Sequence, residues 1–142
     1  FDINFFSAVN TINAVKNFSK SKKISVVCIS SICGHEYISG APVTYSVAKS
    51  ALNNYVNIFS KHLEPRGINL NAIVCGNIMF PGSSWESKIK NNKKKSDILR
   101  NVPTNRFATP RDIFNTIMLL SQKDSFISGS SIVVDGGQTS SI

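Results

Sequence analysis

The chain has 142 residues, with 16 Lys and Arg against 8 Asp and Glu, a formal charge of +8. That length suits one core of ordinary size, and 42% hydrophobic against 17% charged residues excludes a disordered chain. No apolar run approaches the ~20 residues of a membrane helix, and Asp2, Asn4 and Asn10 break up any secretory signal. Cys28, Cys33 and Cys75 form neither a CxxC pair nor an even disulfide framework.

In chain order, Ile3, Phe6, Val9, Ile12 and Val15 recur at helical spacing and predict a helix over 3–18, with Asp2 as its N-cap. A basic turn from Ser19 to Lys23 follows. The run ISVVCI, 24–29, is continuous and β-branched, as expected of a strand buried on both faces of a parallel sheet. Residues 30–42 carry Ser30, Ser31, Gly34, Gly40 and Pro42 and read as a loop. Over 43–63, Ala48, Ala51, Leu52, Tyr55, Val56, Phe59 and Leu63 form one helical stripe, which Pro65 and Gly67 stop. INLNAIV, 68–74, reads as a second buried strand. Residues 75–105 are polar and irregular, with short helical pieces around 83–100, and a loop of that length in a small domain is usually functional. Thr109 caps a helix that opens on Pro110 and runs to about 122. SIVV, 131–134, is a third strand, closed by Asp135-Gly136-Gly137. This α-β-α-β-α-β order implies an α/β doubly wound parallel sheet with right-handed crossovers. Ligands of such sheets sit beyond the carboxyl ends of the strands, here in 30–42, 75–105 and 135–142.

Part of the positive charge clusters in two groups, Lys16, Lys20, Lys22 and Lys23, then Lys88, Lys90, Lys93, Lys94 and Lys95. Neither is interleaved with aromatics or set in a nucleic-acid module, so a solvated loop is the plainer reading than a polyanion patch. Cys33, His35 and Glu36 lack a second ligand cluster at suitable spacing, so no metal site is expected. Cys28 reads as core, and His62 as a helix-end residue.

Tyr45 and Lys49 stand four residues apart on one face of the 43–63 helix. An ammonium beside a phenol favours the phenolate, which suits a tyrosine to exchange a proton with a carbonyl or alcohol. Ser30-Ser31 follows the first strand and ends 14 residues before Tyr45. A hydroxyl there can donate to a substrate oxygen. Taken alone, each element also has a plain structural reading: a helix-face tyrosine, a solvated lysine, a loop-start cap.

Together these elements resemble the short-chain dehydrogenase/reductase family, and within it members of the 3-oxoacyl-carrier-protein reductase kind. The likeness rests on Ser30-Ser31-Ile32-Cys33-Gly34, on Tyr45-Ser46-Val47-Ala48-Lys49, and on Asn4 in Asp2-Ile3-Asn4-Phe5. RGINLNAIV at 66–74, RFATPRD at 106–112 and FISGSSIVVDGG at 126–137 extend it over essentially the whole chain. The resemblance implies an NAD- or NADP-dependent oxidoreductase that interconverts a carbonyl and a secondary alcohol on a small molecule. It makes Tyr45 the general acid/base, Lys49 its partner and holder of the nicotinamide ribose, and Ser31 the orienter of the carbonyl oxygen. Asn4 would bend its helix and hold a proton-relaying water. Gly76 and the Ile78 backbone would meet the cofactor, and Trp85 would line the substrate pocket or pack under the loop. The sequence departs from the family pattern in having Cys75-Gly76 for Pro-Gly and Phe80 where a Thr often stands. The resemblance further implies a homo-oligomer, dimer or tetramer, built through the helices at 3–18 and 43–63. It implies a cytoplasmic location, with neither a membrane nor nucleic acid as partner.

The family's sheet begins with a strand and a Gly-rich turn, whereas this chain opens at Phe1 and has no glycine before Gly34. Residues 1–142 therefore read as one partial Rossmann-fold domain, the C-terminal catalytic half without the first nucleotide-binding half, with 75–105 as its substrate loop. On this reading the strand at 24–29 has an unprotected edge, and the isolated chain aggregates and binds cofactor weakly. The other reading is a truncated, non-catalytic or binding-only remnant whose basic loop contacts a polyanion.

Overall fold

The structure is a computed structural model and describes residues 1–18, 23–89 and 92–140, with nothing said of the side chains of residues 18, 92 and 93. Three parallel strands form one sheet in the order β1 (Ile24–Ser31), β2 (Ile68–Cys75), β3 (Ser131–Val134). β2 takes the centre because it is buried along nearly its whole length, with apolar side chains toward one face and Asn69, Asn71, Ile73 and Cys75 toward the other. Ile68, Leu70 and Ala72, with Cys28 of β1, pack against Ile12 of α1 (Ser7–Phe18) and against Leu52, Val56 and Leu63 of α2 (Val43–Leu63). Ile73 and Cys75 face the other way, onto Ile113 and Leu120 of α5 (Pro110–Leu120). Each such Leu or Ile, fully buried, stabilises the fold by about 1.5–3 kcal/mol before side-chain entropy is counted. The result is helices on both faces of a parallel sheet, as the alternation of elements requires.

Asn71 is the polar residue at the middle of this core, with no exposed surface. Its amide donates to the Asn69 side chain (2.6 Å) and to the Ile127 carbonyl (2.8 Å), and its Oδ1 accepts from Ser130 N–H (3.0 Å). These bonds tie the turn before β3 onto β2. Thr109 caps α5 reciprocally with Asp112, and Pro110 opens the helix. The bidentate Arg106–Asp112 pair (2.8 Å for each bond) holds the Asp112 carboxyl far below the usual carboxylate range.

Several expectations are corrected in detail. β1 runs on through Ser30 and Ser31 to a short 3₁₀ turn, Ile32–Gly34, so neither serine belongs to the loop. It is not buried on both faces either: among the described residues it pairs only with β2, and Ile29 is 46% exposed. Asp2 is not the N-cap of the first helix. It lies within a π-helical turn, Asp2–Phe6, whose N-cap is Phe1. That shift of frame turns Phe5, Ala8, Ile12 and Val15 inward, while Ile3 is 86% and Phe6 47% exposed. The helical pieces in the long loop are α3 (Ser84–Lys88) and α4 (Asn92–Leu99), and α5 ends at Leu120. Of the basic groups, Lys20, Lys22 and Lys90 lie outside the described residues, as does the side chain of Lys93, and Lys23 pairs with Asp124 (3.2 Å).

Candidate active site

Register sets the site. Ser31 pairs with Cys75, and Cys75 with Val134, so all three strands end at one level. The segments leaving those ends enclose a cleft of about 730 Å³. Ser31, Tyr45, Gly76 and Trp85 all line it, joined by Cys33, Asn77, Lys88, Asn101 and Gln138.

Ser31 is buried, and its Oγ accepts the Cys33 N–H at 3.2 Å. That bond occupies a lone pair and leaves the hydroxyl proton to donate. The Ile32–Gly34 turn then lies against α2 with no room to spare: a Cβ on Gly34 would stand 2.5 Å from the Lys49 carbonyl carbon. Ser30 fastens the same junction, its hydroxyl reaching the Lys49 carbonyl at 3.4 Å. Strand, turn and helix are thus clamped together, and Tyr45 projects from the first turn of α2 into the cleft with Ser31.

Lys49, one turn further on, sends its ammonium back to the Ile29 carbonyl (2.9 Å) and lies 5.7 Å from the centre of the Tyr45 ring. Burial lowers its pKa from the ordinary lysine value. Burial likewise pushes the Cys28 and Cys75 thiols up to about 11, so both are neutral core groups near physiological pH. Lys49 does not line the cleft itself. It lies in an adjoining groove of about 270 Å³ along the outer edge of β1, where Asn4 and Ile29 also lie. Asn4 sits in the π-helical turn, where Phe6 N–H reaches back to the Phe1 carbonyl at 3.2 Å. Such turns widen a helix and recur at functional sites. The candidate residues therefore form two adjacent groups, Ser31 with Tyr45 and Asn4 with Lys49, joined through α2.

Gly76 follows β2 where only a glycine fits, since a Cβ would lie 2.7 Å from the Asp135 Cα. Ile78 forms a parallel bridge with Ala108, made through Asn77 C=O (2.9 Å) and Met79 N–H (2.8 Å). The Ile78 peptide groups stay out of that pairing. Trp85 packs on Phe107 (ring centres 5.6 Å apart) and lines the cleft. Asp135 anchors the last loop by accepting from Gly137 N–H (2.8 Å), Thr139 N–H (2.7 Å) and the Thr139 hydroxyl (2.8 Å). Burial acts to raise its pKa, but the donors from Thr139, Gly137 and Gln138 outweigh it and hold the carboxyl below its ordinary value. The sequence reading missed Gln138, whose Oε1 accepts from Asn77 Nδ2 at 3.0 Å, and the spacer role of Gly34. A glycine three residues after a serine at a strand end was the visible signal for the latter.

A parallel sheet with a cleft at its carboxyl end, lined by Ser31 and Tyr45 and with Lys49 in the adjoining groove, is a Rossmann-type arrangement. The comparisons agree. The family profile described as enoyl-(acyl carrier protein) reductase matches residues 1–139, and the chain belongs to the short-chain dehydrogenase/reductase family. It is 32% identical over 140 residues to isoepoxydon dehydrogenase of Penicillium expansum, covering 96% of this chain and 54% of that protein. It is 32% identical over 127 residues to a 3-oxoacyl-[acyl-carrier-protein] reductase of Rickettsia felis, covering 87% of this chain and 50% of the relative. The structure of 4-hydroxyisoleucine dehydrogenase complexed with NADH superposes with a TM-score of 0.86 at 25% identity, over 99% of this chain and 58% of that one. The chain thus spans about half the length of the curated relatives it matches. Among the described residues, no helix is long and apolar enough to cross a membrane.

Proposed function

We propose that this chain carries the catalytic part of an NAD- or NADP-dependent enzyme that interconverts a carbonyl and a secondary alcohol on a small molecule. The observation that carries this reading is the shared cleft of Ser31 and Tyr45, with the Lys49 ammonium 5.7 Å from the Tyr45 ring. Ser31 donates its free hydroxyl proton to the substrate oxygen and orients it. Tyr45 gives its proton to that oxygen in reduction and takes it back in oxidation. Lys49 stabilises the phenolate left behind, and Asn4, in the same groove, relays protons to Lys49 through water.

The donor set fits the nicotinamide-ribose end of a dinucleotide. Lys49 keeps ammonium protons beyond its bond to Ile29, and the Ile78 peptide groups stay out of the pairing with Ala108. Lys49 and Tyr45 would hold the ribose hydroxyls, with Gly76 and Ile78 at the carboxamide. When bound, the cofactor supplies or accepts the hydride. Trp85 and the helices between 75 and 105 shape the substrate side, and assembly through α1 and α2 as a dimer or tetramer is part of the same reading.

The test is Tyr45→Phe in the full-length gene product. Loss of a positioned acid/base lowers kcat by about 100-fold or more, while NAD(P)H binding, read by cofactor fluorescence, stays within a few fold. Turnover undiminished in Tyr45→Phe refutes the assignment.

A further inference from the structure

The charge around the cleft is one-sided. No aspartate or glutamate is among the described residues that line it, and Lys88 is its one charged side chain. The Lys88 ammonium lies 5.0 Å from the centre of the Trp85 ring, whose face also borders the cleft, so a cation–π contact holds it there. The acids nearest in sequence are committed elsewhere: Glu86 accepts the Gly82 N–H at 2.7 Å, and Asp97 pairs with Arg100 at 3.3 Å. Among the described residues Lys88 has no ion-pair partner. Three amide side chains border the same space, Asn77, Asn101 and Gln138. The Gln138 oxygen is occupied by Asn77, which leaves its NH₂ as a donor.

From this arrangement we infer that the substrate carries an anionic group, a carboxylate or a phosphate, and that Lys88 is the residue that selects it. The inference rests on the carbonyl–alcohol reading above and adds the class of molecule to it. The reacting carbonyl meets Ser31 and Tyr45, and the anion meets Lys88, with Asn101 and Gln138 as neutral donors beside it. Trp85 positions the exposed Lys88 ammonium at the cleft, and a lining without acids leaves its field uncancelled for an incoming anion. That arrangement also discriminates against the uncharged analogue, which leaves that cation without a partner.

The experiment uses the full-length gene product as wild type, Lys88→Glu, Lys88→Arg and Tyr45→Phe. Binding is followed by tryptophan fluorescence on titration with succinate, with inorganic phosphate, and with succinamide as the neutral control. Succinate or phosphate saturates the wild type, and which of the two does so identifies the group. Lys88→Glu weakens that binding at least tenfold, Lys88→Arg retains most of it, and succinamide gives no saturable response. In turnover, the kcat/KM ratio of a keto acid over its methyl ester, or of a phosphorylated ketone over the free ketone, falls at least tenfold in Lys88→Glu, chiefly through KM. Anion binding indifferent to Lys88→Glu, or succinamide binding as well as succinate, overturns the inference. Full activity in Tyr45→Phe alongside Lys88-dependent anion binding instead sinks the catalytic reading and leaves the anion site standing.

Discussion

Gly34 sets the separation between the turn after Ser31 and the helix that carries Tyr45, and adding one methyl group there measures how much that spacing matters to the proposed reaction. An alanine Cβ would lie 2.5 Å from the Lys49 carbonyl carbon, 2.6 Å from the Ser50 nitrogen and 2.7 Å from the Lys49 Cβ. Carbon contacts are comfortable at about 3.5–4.0 Å, so turn and helix must part by roughly 1 Å. Backbone bounds the site, and no side chain can swing aside to admit the methyl. Overpacking of this kind costs about 1–3 kcal/mol, and the stiffer unfolded chain offsets about 0.4–1 kcal/mol of it. Gly34→Ala is therefore expected to destabilise the full-length protein by roughly 1–2 kcal/mol. The functional effect is larger, because the parting runs between Ser31 and Tyr45. The Ser31 hydroxyl is fixed by Cys33 in the turn, whereas Tyr45 and Lys49 ride on α2. A misplacement of about 1 Å can cost about 100-fold in rate, so kcat/KM is predicted to fall by about that factor. Urea denaturation and steady-state kinetics on one preparation read both effects. A Gly34→Ala protein with native stability and native kcat/KM would show that turn and helix part freely, and the spacer argument would fail.

Three further outcomes follow from the same structure. Thr109→Ala removes the cap of α5, which should cost about 1 kcal/mol in chemical denaturation while leaving kcat unchanged, since α5 packs beneath the sheet away from the cleft. Asn71→Ala leaves the Ser130 N–H without its buried partner, while Asn69 still donates to the Ile127 carbonyl at 2.7 Å, so a loss of about 1–3 kcal/mol is expected, with faster hydrogen exchange in 127–130. Alkaline pH should weaken the fold through Cys28 and Cys75, whose thiols burial raises from 9.0 to about 11. The folded state then binds more protons than the unfolded one between those values. Their contribution is fully present below pH 9.0 and is lost as pH rises toward 11. Cys75→Ala should flatten that part of the stability–pH curve, and an unchanged slope from pH 8.5 to 10.5 would count against the buried-thiol explanation.

Local periodicity carried the fold. The helix at Val43–Leu63 and the strand at Ile68–Cys75 are marked by residues that contact the core directly, so their patterns survive in sequence. The first helix was read in the wrong frame because a π-helical turn inserts extra chain before the regular spacing begins, and Ile3 and Phe6 then fall outside the stripe. Ser31 and Tyr45 were legible as a spacing and share a cleft. The division of the candidate residues between cleft and groove was not legible, because Lys49 turns back along the helix to the Ile29 carbonyl. Contacts that join distant segments left no local trace: Gln138 reaches Asn77 across 61 positions. The Lys88 ammonium was visible only as one of a run of lysines, until Trp85 set it apart.

The link between core and site runs through register. Ser31, Gly76 and Asp135 meet because β1, β2 and β3 end at the same level, and that alignment is set by which β2 side chains face which helices. A slip of one residue would send Ile73 toward α2 and Ala72 toward α5. It would also carry Gly76 away from the close approach to Asp135 that only a glycine permits. The two-faced burial of β2 therefore does more than stabilise the domain. It fixes the distance between the hydroxyl of Ser31 and the loops that close the cleft, and a core that packed equally well in another register would bring the same residues to the surface without forming the site.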